Sequence, residues 1–95
     1  MNESLLNQSI NNSLVKEENQ LKWDDVLEKL KNDFGKDVYE SWIKNIKLNK
    51  EFNHYIILSA PTRFVRDWIV SRYADKILDI IKTFKKSIQR IEFLI

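Results

Sequence analysis

The densest set of groups able to bind something lies in one run: Ala60-Pro61-Thr62-Arg63-Phe64-Val65-Arg66-Asp67-Trp68-Ile69. Arg63 and Arg66 stand on either side of Phe64. An apolar ring rimmed by ionic groups is the composition of a binding hot spot. The alternative at this position is a phenylalanine that caps the core beneath the helix. Neither reading is catalysis, because a phenyl ring has no proton to move.

Groups suited to catalysis are sparse. His54 is the single histidine, and its polar surroundings read as a solvated turn. No Ser-His-Asp arrangement can be composed around it. There is no cysteine, which excludes a thiolate nucleophile, a thiolate metal site and a disulfide framework. One histidine is too few for an ordinary zinc site. The carboxylates are scattered along amphipathic segments and suggest no acid–base pair. Gly35 is the only glycine, so a phosphate-binding loop cannot be built. The expectation is therefore no enzyme, no cofactor and no metal.

Cations gather toward the C-terminus. Residues 61–95 hold eight Lys/Arg against four Asp/Glu, although the whole chain carries only +2. Near-balance argues against a dedicated nucleic-acid binder. Arg63, Arg66, Lys85 and Lys86 are still the candidates for touching phosphates if they share one face. The competing reading is a solvated helix face neutralised by Asp67, Asp75 and Asp79.

The elements that must position these groups can be read from periodicity. With 95 residues there is room for one domain, and 43% hydrophobic residues are enough for a core. Residues 1–21 are polar and read as a flexible extension, with Leu6, Ile10 and Leu14 able to line a short induced helix. Trp23, Val26, Leu27, Leu30 and Phe34 follow helical spacing from about residue 22, and Gly35 falls where a helix would stop. Val38, Tyr39, Trp42 and Ile43 predict a second helix over about 37–45. Ile46 and Leu48 then alternate with polar residues, and Tyr55–Ala60 is a β-branched and aromatic run, predicting a hairpin. Pro61 ends the second strand, and Thr62 is placed to cap a third helix. The stripe Val65, Trp68, Ile69, Tyr73, Ile77, Ile80, Ile81 and Phe84 predicts one long helix over about 63–84. Ile91, Phe93 and Ile95 predict a last strand. The order α-α-β-β-α-β places the long helix in a crossover on one face of a three-stranded sheet. No run of about 18 apolar residues exists, which argues against a transmembrane helix, and the absence of cysteine fits the reducing interior expected of a cytoplasmic protein.

Taken together, the run from Ala60 to Ile69, the Trp23-x-x-Val26-Leu27-x-x-Leu30 pattern and the Tyr39-x-x-Trp42-Ile43 pattern resemble the N-terminal domain of DnaA, the bacterial replication initiator. The resemblance covers residues 22–95. It implies a KH-like α+β fold, made of a helical hairpin, a three-stranded sheet and one long helix. It also implies a non-catalytic, bacterial interaction module in DNA replication. The implied partners are the replicative helicase DnaB, regulators of initiation, and DnaA itself as a homo-oligomer. By the same resemblance, Phe64, Arg63, Tyr39 and Val38 mark the helicase and regulator contact. Trp23, with Val26 and Leu27, marks self-association through the first helix. Core packing is the other reading of Trp23. Trp42, Trp68 and Tyr73 are read as structural.

Two departures qualify the resemblance. Well-known members carry an acidic residue where this chain has Val38, which puts the electrostatic half of that contact in doubt. The chain also lacks the ATPase and origin-reading modules of a complete initiator. The expectation is either an excised domain or a stand-alone homologue that competes with the full-length protein. A weak single-stranded DNA-binding module is the alternative function. Without a Gly-x-x-Gly loop, a strong KH-type grip is not expected.

Overall fold

A computed structural model describes residues 20–94 of the chain. Helix α1 spans Trp23–Phe34. A short helix α2, Lys36–Val38, continues directly into a π-helical turn, Tyr39–Ile43. Strands β1 (Lys47–Glu51) and β2 (Tyr55–Ser59) follow, then helices α3 (Arg63–Arg72) and α4 (Ala74–Phe84), and strand β3 (Arg90–Leu94). The sheet order is β1-β2-β3, with β1 antiparallel and β3 parallel to β2. The parallel pair requires the crossover that α3 and α4 supply. The expected α+β architecture is the observed one.

Side-chain period dictates which face is covered. Ile56 and Leu58 on β2 are fully buried, while their neighbours on the strand are half-buried. Their side of the sheet meets Val26 and Leu30 of α1, Ile69 of α3, and Ile77, Ile80 and Ile81 of α4. The result is one core between a helical layer and a sheet.

Helix α1 stops where glycine permits it. Gly35 has φ +89° and ψ 163°, a backbone region essentially reserved for glycine. Its amide donates to the Lys31 carbonyl at 3.0 Å, and its own carbonyl accepts from Tyr39 N at 3.1 Å. One residue thereby closes α1 and opens α2. A Cβ added at Gly35 would meet nothing within 4 Å, so the cost of a side chain is purely conformational. Gly35→Ala is expected to lower unfolding stability by about 1–3 kcal/mol. Chemical denaturation of both proteins checks this, and an unchanged midpoint would contradict it.

Three local features differ from the periodicity reading. The single long helix expected over 63–84 is two helices, broken at Tyr73 (φ −124°, ψ −10°). Tyr73 N still donates to Ile69 O, and Ile77 N to Tyr73 O, so few backbone bonds are lost. The break lets α3 pack on the π-helical turn while α4 packs on α1. The Tyr73 ring itself packs edge-on against Phe34, with centroids 5.3 Å apart. The second helix, expected as an ordinary one, is mostly the π turn, which accommodates one extra residue before β1. Finally, β1 carries a bulge between Leu48 and Lys50. The bulge shifts the alternation by one and turns Glu51 inward beside Ile56.

Most of the predicted extension, residues 1–19, lies outside the described residues, as does Ile95. Leu21, assigned by composition to that extension, packs against the core. Its amide donates to Glu51 Oε1 at 2.8 Å.

Candidate functional site

Phe64 enters solvent because of where α3 begins. Pro61 ends β2, and the Thr62 hydroxyl caps α3 by accepting from Val65 N at 3.1 Å. Arg63 and Phe64 thus fall in the first helical turn, above the point where the stripe reaches the core at Val65 and Ile69. Phe64 is 67% exposed, the highest value of any large apolar side chain described. The reading of Phe64 as a core cap is thereby excluded.

Beneath Phe64 lies an aromatic platform. Trp42 on the π-helical turn stacks on Trp68 of α3, with centroids 4.8 Å apart and planes 15° from parallel. Phe64 leans on both, 5.9 Å from Trp42 and 6.3 Å from Trp68. The Arg72 guanidinium lies 4.1 Å over Trp68, within cation–π range. Trp42 and Trp68, expected as structural core, are half-buried and form the floor of this surface. The Trp68 indole N–H is buried and has no acceptor among the described residues.

The other proposed contact residues are distributed around it. Arg63 is exposed, and Tyr39 and Val38 are half-buried and pack against the core. Lys31 sits 5.8 Å over the Tyr39 ring. Glu40, the next residue, is bonded to Lys44 at 2.9 Å. That hydrogen bond, and then the Lys44 charge, hold the Glu40 carboxyl below its ordinary range. Glu40 is therefore an engaged acid.

On α1 the three residues expected to mediate self-association separate. Val26 is fully buried in the core and cannot reach a partner in this fold. Its assignment is corrected, because its place on the helix points at Leu30 and the sheet. Trp23 and Leu27 are half-buried. Trp23 Nε1 donates to the Ile46 carbonyl at 3.0 Å, which ties α1 to the entry of β1.

Two of the four candidate phosphate contacts are engaged by acids. Lys85 bonds the buried Glu51 carboxylate at 2.6 Å and is withdrawn from that role. The β1 bulge that turns Glu51 inward is the physical reason. Arg66 pairs with Asp67 at 3.0 Å. Arg63 and Lys86 are exposed. His54 is exposed, as expected for a turn residue, and its backbone carbonyl accepts from Gln89 N.

Among the described residues no cluster of His, Cys, Asp or Glu could hold a metal, and no helix is long and apolar enough to cross a membrane. The arrangement can present an apolar ring on a rigid floor with cations at its margin. The family resemblance pointed to Phe64 and Arg63, and the sequence reading missed the Trp42–Trp68 floor. Its only sequence signal was two tryptophans on helical segments that the fold must juxtapose.

Comparison with known proteins places the chain in a family. The family described as DnaA N-terminal domain matches residues 20–83. The chromosomal replication initiator protein DnaA of Rickettsia massiliae is 36% identical over 72 residues, covering 76% of this chain and 16% of that protein. DnaA of Rickettsia rickettsii gives the same figures, and that of Rickettsia canadensis is 35% identical over the same length. The chain thus spans about a sixth of the length of these relatives. The match extends through α1, the π-helical turn, the hairpin and α3 into α4. With more than half its length in that match, the chain belongs to the DnaA N-terminal domain family.

Proposed function

We propose that this chain is a non-catalytic protein-interaction module of bacterial replication initiation, which binds the replicative helicase or regulators of initiation through Phe64. The observation that carries the reading is the exposed Phe64 ring held on stacked Trp42 and Trp68. A ring fixed in place loses little side-chain freedom on binding, so its burial by a partner translates efficiently into affinity. Arg63 at the rim and Tyr39 on the neighbouring turn enlarge the contact. Self-association, in the same reading, uses the exposed parts of Trp23 and Leu27 on α1. The relatives are named as replication initiators, and that role comes to this chain through family membership.

Phe64→Ala is expected to weaken capture of the replicative helicase by about 2 kcal/mol, roughly thirtyfold. Phe84→Ala removes another exposed ring, 43% accessible at the far end of α4, and is expected to leave capture unchanged. Titration of the helicase with each variant by biolayer interferometry separates them. Equal affinity of Phe64→Ala and the parent protein would overturn the assignment.

A further inference from the structure

We infer that the segment this surface accepts is acidic, with an apolar side chain seated on Phe64 and Trp42 and a carboxylate drawn to Arg63. The inference rests on the proposed contact role of Phe64 and assigns that contact its partner chemistry.

The charge arrangement on α3 is the argument. The helix carries Arg63, Arg66, Asp67 and Arg72. Its one acid, Asp67, is already taken by Arg66. Arg63 and Arg72 have no carboxylate partner among the described residues; Arg72 lies over Trp68, and Arg63 is exposed and precedes Phe64 in the first turn of α3. On the neighbouring helix and turn the acid Glu40 is engaged by Lys44, Asp37 is exposed next to Lys36 in the chain, and Val38 adds no charge. Two exposed guanidinium groups therefore stand beside one apolar anchor without carboxylate partners among the described residues. A basic segment would meet like charge there, and a neutral one would leave the arginines without partners. An acidic segment with an apolar anchor satisfies both halves of the surface.

The test uses the whole 95-residue chain. Two fluorescein-labelled amphipathic peptides are titrated by anisotropy, one of leucine and glutamate and one of leucine and lysine, with single-stranded oligo-dT as a third probe. The glutamate peptide is expected to bind about tenfold tighter than its lysine counterpart, and added salt should narrow the gap. Arg63→Glu is the decisive variant. Arg63 is the first residue of α3, where negative charge favours the helix dipole, so the variant is expected to stay folded. It should weaken the glutamate peptide about tenfold and strengthen the lysine peptide.

If Phe64→Ala weakens both peptides but Arg63→Glu changes neither, the charge inference fails and the contact reading survives. If Phe64→Ala changes nothing, the contact reading itself fails. Tight oligo-dT binding that Arg63→Glu abolishes and Phe64→Ala spares would overturn the inference in favour of a phosphate site.

Discussion

Replacing Ile81 by alanine is expected to cost the domain about 3–4 kcal/mol. Ile81 is fully buried on α4, in the cluster where α1, α3 and the sheet converge. Its truncation removes three carbons and leaves a cavity whose walls belong to different elements. A domain of this size has on the order of 5 kcal/mol in total, so most of its stability would go. The midpoint of thermal unfolding should fall by roughly 15 °C or more, read by far-UV circular dichroism. Val70→Ala on α3, with a side chain 52% exposed, provides the contrast and should change stability by less than about 0.5 kcal/mol. Similar effects of the two variants would show that the packing described for α4 is wrong.

Lys85→Met is expected to have the second-largest effect. Its ammonium is 2.6 Å from a Glu51 carboxylate that is 1% exposed, and it joins the α4–β3 connection to the end of β1. The same carboxylate accepts from Leu21 N, so one side chain holds three parts of the chain together. Removing the cation strands a negative charge in the interior, where only hydrogen bonds remain to offset its desolvation. Lys85 keeps 21% of its side chain in solvent, which screens part of the interaction. The expected loss is therefore about 2–3 kcal/mol, at the low end for a broken buried pair. The double variant Glu51→Met/Lys85→Met removes both charges and should recover most of that loss. Urea unfolding of the two single variants and the double variant gives the coupling directly. Additive losses would mean that the pair is not the reason for Glu51's burial.

That pair also marks a limit of one-dimensional reading. Alternation from Leu48 puts Lys50 and Phe52 on its side of the strand and Glu51 outside. The bulge between Leu48 and Lys50 reverses this, and nothing in the composition of the segment announces a bulge. The buried acid and the structural role of Lys85 were hidden by the same shift. The break at Tyr73 was hidden for a different reason. The apolar stripe continues through Tyr73 without glycine or proline, so its local pattern is that of one helix. Two different partners, the π-helical turn for α3 and α1 for α4, impose the bend from outside the segment.

Other features were legible because their causes are local. The single glycine at position 35 could only be a stop, and α1 ends on Phe34. Pro61 and Thr62 define the strand-to-helix junction, and the cap bond to Val65 forms there. Together they fix the position of Phe64 in the first helical turn. Exposure of that ring was not decided by spacing, since a phenylalanine at a helix start fits a core cap equally well. In the fold the ring lies outside, 67% exposed and resting on the stacked Trp42 and Trp68. Val26 was misassigned through grouping it with its neighbours on α1. One helical step separates the fully buried Val26 from the half-buried Leu27.

The central claim is that recognition happens on the ring that α3 raises above two stacked indoles. Isotope-labelled protein titrated with the replicative helicase, followed by two-dimensional NMR, observes this directly. The account predicts that the indole resonances of Trp42 and Trp68 and the amides of residues 62–68 shift together, while those of β3 stay still. Perturbations confined to the open face of the sheet, with both indoles unmoved at saturation, would contradict it.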